Sequence, residues 1–374
     1  MSRISSVAAG KREFVWGVWG TVTQNGKQIV CDKMEVTIMK EILSKLVDGN
    51  NLTKEEAMYA QELILTGQAT PAQIACFLTA LRMKGETLDE ITGLASVLRD
   101  KAQTIAPKVD NYVDFVGTGG DCTYSFNIST TSAFVVAAAG VPVAKHGNRS
   151  ISSKSGAGDV LEALGVNISA DPQIVEKCVE EAGIGFMFAP HFNPAMKYVG
   201  SVRKEMGIRT VFNILGPLSN PSRAKAMIVG VYSPKLTEVI AGTMMNLGVE
   251  RGFVVSGCDN MDEFTLTGPS TVSEIKDGKV TTYEVSPEQF GLSHCKIEEL
   301  QGGVGTVNAQ ITKDILSGKE QGAKREIVLL NAGAALYIGG KADSIQGGIT
   351  LAAQTIDSGK ATEVLAELVK LTNA

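Results

Sequence analysis

The chain has 374 residues, enough for about two domains at roughly 150 residues each, and with 44% hydrophobic and 20% charged residues it has ample core for an ordinary globular protein. Its formal net charge of −5 gives no basic footprint and argues against nucleic acid as the main partner. The longest apolar run, AFVVAAAGVPVA, is far shorter than the about 20 residues a membrane span needs, and Lys11, Arg12 and Glu13 interrupt any leader-like stretch, so a cytoplasmic protein with no membrane association is expected.

Residues 1–34 form an N-terminal extension unlike the rest of the chain. It carries both tryptophans, Trp16 and Trp19, and a type I′ hairpin signal at Asn25-Gly26. From residue 35 a helical period takes over, with Val36, Met39, Ile42, Leu43, Leu46 and Val47 on one face. Three more helices open on capping boxes: Thr53 with Glu56, Thr70 with Gln73, and Thr87 with Glu90. Gly49, Gly67 and Gly85 stand where the preceding helices stop. These signals predict a helical domain over 35–106, left at Pro107.

Beyond it the chain alternates. NYVDFVG reads as a strand, TTSAFVVAAAG as a helix, VPVAKHG as a strand, DVLEALG as a helix and VNIS as a strand. IGFMFAP, AMIVGVY and RGFVVSG read as further strands, with helices opened by Asp171-Pro172 and Ser233-Pro234 between them. Apolar strands joined by helices of this length predict a mostly parallel sheet covered on both faces. TVSEIKDGKVTTYEV adds a hairpin turning at Asp277-Gly278, and the chain from Asn308 onward reads as mainly helical. The expected fold is therefore α/β: a small helical N-terminal domain plus a larger α/β domain over 107–374.

Chemistry gathers in four loops. After the first strand comes Gly117-Thr118-Gly119-Gly120-Asp121, and then Asn127, Ile128, Ser129 and Thr130 at the mouth of a helix. Glycines let backbone amides approach an anion, and the helix adds free N–H groups and a positive dipole end. Asp121 suits a hydroxyl, an amide or a metal rather than a phosphate. The motif is neither GxGxxG nor a Walker loop, and a lone glycine loop is often only a tight turn. After the next strand, Lys145, His146, Asn148, Arg149, Ser152, Ser153, Lys154 and Ser155 put positive charge and hydroxyls on one loop, suited to a second anionic group. Asp262 and Glu263 follow a third strand as adjacent hard oxygen donors of the kind Mg²⁺ accepts alongside phosphate oxygens. Arg209, beside Phe212 and Leu215, is able to clamp a flat carboxylate and equally to form an ordinary helix-end ion pair. GGVGT at 302–306 reads as a loop. Six scattered cysteines without a CxxC pair point to reduced thiols, and three histidines are too few for a histidine-rich metal site.

GTGGD, NIST, KHGNR, SSKSG, RTVFNILGPL and MDE occur here in order, and from about residue 35 to the end the chain closely resembles the anthranilate phosphoribosyltransferases. That resemblance implies transfer of a phosphoribosyl group from 5-phosphoribosyl 1-diphosphate to the amine of anthranilate, with Mg²⁺, in a homodimer joined through the helical domain. It also implies that helices from about 192–220 return to complete that domain. Carried over, Gly117, Gly120, Asp121, Ser125, Asn127, Ile128, Ser129 and Thr130 would hold the sugar diphosphate. Lys145, His146, Gly147, Asn148, Arg149, Ser150, Ile151, Ser152 and Ser153 would close over it. Ser129 and Glu263 would bind one Mg²⁺, and Asp262 with Glu263 a second. Gly117, Asn148 and Arg209 would meet anthranilate with His146 nearby, which makes Lys145, His146 and Arg209 the catalytic set.

The chain departs from the pattern at Ala157, where many relatives carry a serine, so one contact to the sugar diphosphate is in doubt. Two other readings use the same architecture. A nucleoside phosphorylase would take phosphate as nucleophile, and a nucleic-acid-binding relative without catalysis would need a basic groove.

Overall fold

The structure, a computed structural model, describes residues 30–150 and 154–374. The Asn25-Gly26 signal, both tryptophans and Ile151, Ser152 and Ser153 lie outside the described residues.

Helices α1 (Val30–Val47), α2 (Lys54–Leu65), α3 (Pro71–Lys84) and α4 (Leu88–Lys101) come first. All three expected capping boxes form. The hydroxyls of Thr53, Thr70 and Thr87 accept the N–H three residues on at 3.2, 3.3 and 3.3 Å. Glu56, Gln73 and Glu90 accept in return from the cap N–H groups at 2.8, 2.9 and 2.8 Å. Each cap stabilises its helix by about 1 kcal/mol. Met39, Ile42 and Leu46 of α1 are buried as the period requires, whereas Val47, expected on that face, is 67% exposed.

Among the described residues seven strands form one sheet in the order β3-β2-β1-β4-β5-β6-β7. Strands β1 (Val113–Gly117), β2 (Val143–Gly147), β3 (Ile184–Phe188), β4 (Ala226–Gly230) and β5 (Arg251–Gly257) run parallel. The hairpin β6 (Ser270–Lys276) and β7 (Lys279–Val285) adds the antiparallel edge. Its turn residues Asp277 and Gly278 have φ of 50° and 71°, the double positive φ of a type I′ turn. Helix α5 (Ile128–Ala138) links β1 to β2. Helices α6 (Ala157–Ala163) and α7 (Pro172–Glu181) link β2 to β3. Helices α8 (Ala189–Phe192), α9 (Lys197–Met206) and α10 (Phe212–Leu218) precede β4, and α11 (Thr237–Asn246) precedes β5. Helices α12 (Gly305–Leu316), α13 (Ala323–Ile338), α14 (Ile345–Asp357) and α15 (Lys360–Thr372) complete the chain.

The stretch 166–169 is a turn and not the expected strand. Its backbone bonds go elsewhere: Asn167 N–H donates to Thr372 Oγ1 at 3.2 Å and Ala170 N–H to the Asn167 carbonyl at 3.3 Å. The alternation that suggested a strand is real, since Val166 and Ile168 are both buried, but it serves packing without pairing.

Strand alternation divides the interior in two. Ala226 and Ile228 of β4 join a core with residues of α5, α13, α14 and α15, while Met227 and Val229 join one with Phe77, Leu78, Leu94, Phe212 and Leu215. The sheet thus shares its second core with the helical layer and with α10. Arg99 of α4 reinforces this junction, donating from Nε to the Leu218 carbonyl at 2.7 Å and from Nη1 to the Leu247 carbonyl at 2.8 Å.

Candidate functional site

The parallel strands place their carboxyl ends along one edge, where ligands bind in open α/β sheets. Strand β1 ends at Gly117 and β4 at Gly230, paired in register. The loop after β5 crosses directly over them. A Cβ on Gly230 would lie 1.6 Å from the Asp262 carbonyl oxygen, and one on Gly117 would lie 2.3 Å from Asp262 Oδ2. Bare backbone at both positions is what lets the acidic pair reach the first glycine loop.

That contact is made by hydrogen bonds. Gly119 N–H donates to Asp262 Oδ2 at 2.6 Å, and Ser129 N–H, in the first turn of α5, donates to Glu263 Oε1 at 3.2 Å. One carboxylate therefore faces the glycine turn and its neighbour faces a helix N-terminus. Burial, followed by the charge of Asp121, pushes the Asp262 carboxyl up to about 7. Burial, followed by Asp262, pushes Glu263 to about 8. Two acids with little water and like-charged neighbours resist ionisation. A divalent cation would relieve that cost, so the donor set fits Mg²⁺.

Among the described residues no three His, Cys, Asp or Glu side chains gather as a self-contained metal cage. This agrees with the fit, because Mg²⁺ is held by one or two carboxylates together with waters and phosphate oxygens.

Lys145 rises from β2 beneath this pair. It is 3% exposed, and its ammonium donates to the Phe115 carbonyl and to Ser129 Oγ, the latter at 3.4 Å. Burial lowers its pKa, opposed by Asp114, Glu263 and Asp262 in that order. Asp114 is wholly buried on β1, and its Oδ1 accepts from Phe115 N–H at 2.7 Å and His146 N–H at 3.2 Å. It is an acid hidden in an otherwise apolar strand, the one sequence signal that could have singled it out.

The glycine loop itself is tightly wound, with left-handed φ at Gly119, Gly120, Cys122 and Tyr124 (64°, 72°, 62° and 55°). Two of these are non-glycine residues, and such strain persists only where surroundings enforce it. The enforcing neighbour is the 300–302 segment. Phe126 N–H donates to the Leu300 carbonyl at 3.0 Å, Gly302 N–H to the Tyr124 carbonyl at 2.9 Å, and Ser125 bridges Gln301. The GGVGT stretch, expected to be a plain loop, thus braces the rim. Within the rim, Asp121 Oδ2 accepts from Thr123 Oγ1 at 2.6 Å, and Thr118 Oγ1 is buried with no hydrogen-bond partner.

Arg209 reaches the same rim from the opposite side. Its guanidinium donates to the Gly120 carbonyl and lies 4.3 Å from the Tyr232 ring centroid, while Arg82 donates to the Arg209 carbonyl. Arg209 is exposed, with room for a carboxylate partner.

The other expected residues lie at the end of β2, in the loop after it and at the start of α5. His146 is 4% exposed and its Nε2 pairs with Asn193 Nδ2 at 3.2 Å; burial lowers its pKa to about 4. The Arg149 guanidinium makes two bonds to Glu162, at 2.7 and 2.9 Å. Asn148 Oδ1 accepts the Arg149 N–H at 2.7 Å, and Ser150 N–H donates to Asp159 Oδ2 at 2.9 Å. Ile128 and Thr130 are 1% exposed, so their side chains belong to the interior. Asn127 spends its carboxamide on neighbours: Oδ1 accepts from Ser155 Oγ at 3.1 Å and Asn308 Nδ2 at 2.8 Å, and Nδ2 donates to the Ser155 carbonyl at 3.2 Å. Gly147 packs so closely that a Cβ there would lie 3.3 Å from that of Ala157. A separate cavity of about 510 Å³ opens between β6, β7 and α14, lined by Glu274, Tyr283 and Tyr337, and none of these loops borders it.

Comparison with known proteins places this geometry. Residues 109–362 match the family model described as "Glycosyl transferase family, a/b domain", and residues 40–102 match its "helical bundle domain". The chain is 55% identical over 337 residues to the anthranilate phosphoribosyltransferase of Acetivibrio thermocellus, covering 90% of this chain and 97% of that one. It is 52% identical over 350 residues to the enzyme of the same name from Citrifermentans bemidjiense, with 90% and 99% covered. Among solved structures, the Thermus thermophilus anthranilate phosphoribosyltransferase superposes with a TM-score of 0.85 at 41% identity, over 89% of this chain and 99% of that one. The Saccharomyces cerevisiae enzyme, solved in complex with PRPP and Mg, gives 0.83 at 28% identity, over 91% and 98%.

Proposed function

The chain belongs to the anthranilate phosphoribosyltransferase family, and from that premise we propose how its rim divides the work of the reaction. The enzyme transfers the phosphoribosyl group of 5-phosphoribosyl 1-diphosphate to the amine of anthranilate in tryptophan biosynthesis. The C1–oxygen bond breaks with its electron pair leaving on diphosphate, the amine nitrogen bonds to C1, and the nitrogen gives up a proton.

Positive charge grows on the ribose and negative charge on the leaving group as that bond opens. The glycine turn 117–120 and the first turn of α5 would face the diphosphate, with the Gly119 and Ser129 amides, which donate here to Asp262 and Glu263, at the centre of that edge. Lys145 sets a buried cation beneath them, held by the Phe115 carbonyl and Ser129 Oγ. Ser129 with Glu263, and Asp262 with Glu263, would hold two Mg²⁺ ions, which when bound would neutralise charge on the diphosphate. Asp121 is oriented by Thr123 for hydroxyls or a metal-bound water. Arg209, its guanidinium carbon over the Tyr232 ring, clamps the anthranilate carboxylate and sets the amine toward C1. Asn148 and Gly117 line that side. An aromatic amine attacks without a strong base, so His146, neutral and buried, serves to shape the β2 end. The missing serine at Ala157 removes one hydroxyl from this arrangement.

The observation that carries the reading is the pair of bonds from Gly119 to Asp262 and from Ser129 to Glu263, which unite metal donors and anion donors at one point. Loss of anthranilate fluorescence on adding 5-phosphoribosyl 1-diphosphate and Mg²⁺ tests it; a signal that persists over hours at micromolar enzyme would count against it. We also place the protein in the cytoplasm, a setting that suits its free thiols at Cys76, Cys122, Cys178, Cys258 and Cys295. Among the described residues no helix is long and apolar enough to cross a membrane. We propose a homodimer through the helical layer, where Val47 and Met83 are 67% and 83% exposed.

A further inference from the structure

The GGVGT turn and the helix behind it do more than close the chain. Asn308, in the first turn of α12, is 1% exposed. Its Oδ1 accepts from Gly303 N–H at 2.7 Å, and its Nδ2 donates to Asn127 Oδ1 at 2.8 Å. The fit is close, since a Cβ on Gly302 would lie 2.4 Å from Asn308 Oδ1 and 2.6 Å from the Phe126 Cα. One helical turn on, Thr131 and Thr312 share a hydrogen bond of 2.8 Å. Asn127 with Asn308 and Thr131 with Thr312 are therefore two rungs, four residues apart, between the start of α5 and the start of α12.

Only the outer rung reaches the Asn127 carboxamide; the inner one meets Asn127 solely where Thr131 Oγ1 donates to its carbonyl at 3.0 Å, a bond within α5. Through the outer rung, Asn308 fixes which way the Asn127 carboxamide faces: with Oδ1 turned to Asn308 Nδ2, Asn127 Nδ2 is left to donate to the Ser155 carbonyl, while Ser155 Oγ donates back to Oδ1. Ser155 and Gly156 end the loop after β2, and Gly156 N–H and Ser150 N–H both donate to Asp159 Oδ2, at 2.8 and 2.9 Å. The geometry points to Asn308 as a positioning residue for the sugar-diphosphate pocket, locking the entrance of α5 and the Ser155 end of the second anion loop to the 302–303 turn. This rests on the reading that the 117–130 and 145–159 loops take 5-phosphoribosyl 1-diphosphate. Asn308 itself touches no substrate. It acts through Asn127 and Ser155.

The two rungs supply the test, because both tie the same helices and only one bonds the carboxamide that holds Ser155. In Asn308→Ala, and in the isosteric Asn308→Asp, which keeps the acceptor for Gly303 but loses the donor to Asn127, KM for 5-phosphoribosyl 1-diphosphate rises about tenfold. KM for anthranilate stays within about twofold. Thr312→Val lowers the melting temperature but leaves both KM values near those of the parent. Ser155→Ala combined with Asn308→Ala costs less than the product of the two separate effects, because the second change acts on a link already broken. An unchanged KM for the sugar diphosphate in folded Asn308→Asp, or an equal rise in Thr312→Val, overturns the positioning role. Asp121→Asn serves as the reference. If it raises that KM and Asn308→Asp does not, the positioning role fails alone; if neither does, the assignment of the two loops fails with it.

Discussion

Gly119 N–H and Asp262 Oδ2 meet at 2.6 Å across 143 residues of sequence, and this bond joins the glycine loop to the acidic loop. The carboxyls of Asp262 and Glu263 are raised to about 7 and about 8 by burial and by neighbouring acids. In the metal-free enzyme they retain protons at pH 6, and a cation must displace those protons to bind. Titrating Mg²⁺ at pH 6 should therefore release at least one proton per site, seen with a pH indicator in weak buffer. At pH 9 the release should vanish. Asp262→Asn combined with Glu263→Gln should release none at either pH and lose Mg²⁺-dependent turnover; normal Mg²⁺-dependent turnover in that variant would refute the metal assignment.

Gly230 tests the crossing of the two loops by shape alone. Its Cβ would sit 1.6 Å from backbone that has no flexible end to swing away. Gly230→Ala should destabilise the protein by about 2–3 kcal/mol and cut kcat/KM by roughly 100-fold through displacement of Asp262. Gly200→Ala is the natural control, since nothing lies within 4 Å of a Cβ at this exposed helical position. It should stabilise by about 0.5–1 kcal/mol with turnover unchanged. Melting curves and initial rates of the two variants decide the matter, and similar behaviour would contradict the steric argument.

Arg209 is held by a π-face and a carbonyl, neither of which neutralises its charge. Arg209→Ala should raise KM for anthranilate by about 10- to 100-fold, the worth of a charged bidentate contact, while KM for the sugar diphosphate moves far less. Equal effects on both substrates would contradict the carboxylate role. Tyr232→Phe should keep most of the affinity and Tyr232→Leu lose about 3-fold or more.

His146 gives a pH dependence with a definite sign. Its folded pKa, lowered by burial to about 4, lies below the unfolded value of about 6.5. Between those values the unfolded chain binds the extra proton, so stability is full above pH 6.5 and drains as pH falls toward 4. The single group accounts for roughly 3 kcal/mol over that window. Urea unfolding of the wild type and His146→Gln at pH 7.5 and 4.5 should show a smaller acid loss in the variant. Parallel losses would mean that His146 is protonated in the fold.

What the sequence disclosed and what it hid depend on range. The capping boxes at Thr53, Thr70 and Thr87 are decided within four residues, and the type I′ turn at Asp277-Gly278 within two, so both were legible. The parallel strands were legible because burial on both faces leaves continuous apolar runs. Val166 and Ile168 misled because alternation reports burial and not pairing. The four chemical loops were read from composition, and the edge of the sheet explains why they meet. Asn308, Asn220 and Asp114 stayed hidden. Asn308 answers Asn127 at a separation of 181 residues, Asn220 Nδ2 donates to the Ala144 carbonyl 76 residues away, and a single polar letter announces no distant partner. GGVGT looked like a turn because it is one; that its Gly302 bonds the Tyr124 carbonyl is a tertiary fact.

Arg99 carries a final implication. Its side chain spans from α4 to the carbonyls that end α10 and α11, and burial lowers its pKa only to about 10, so it remains a cation at neutral pH. Peeling the helical layer from the sheet would strip a guanidinium and two carbonyls of their partners and split a common oily interior along its seam. The helical layer and the sheet are thus welded thermodynamically. Heat should melt them in one cooperative step.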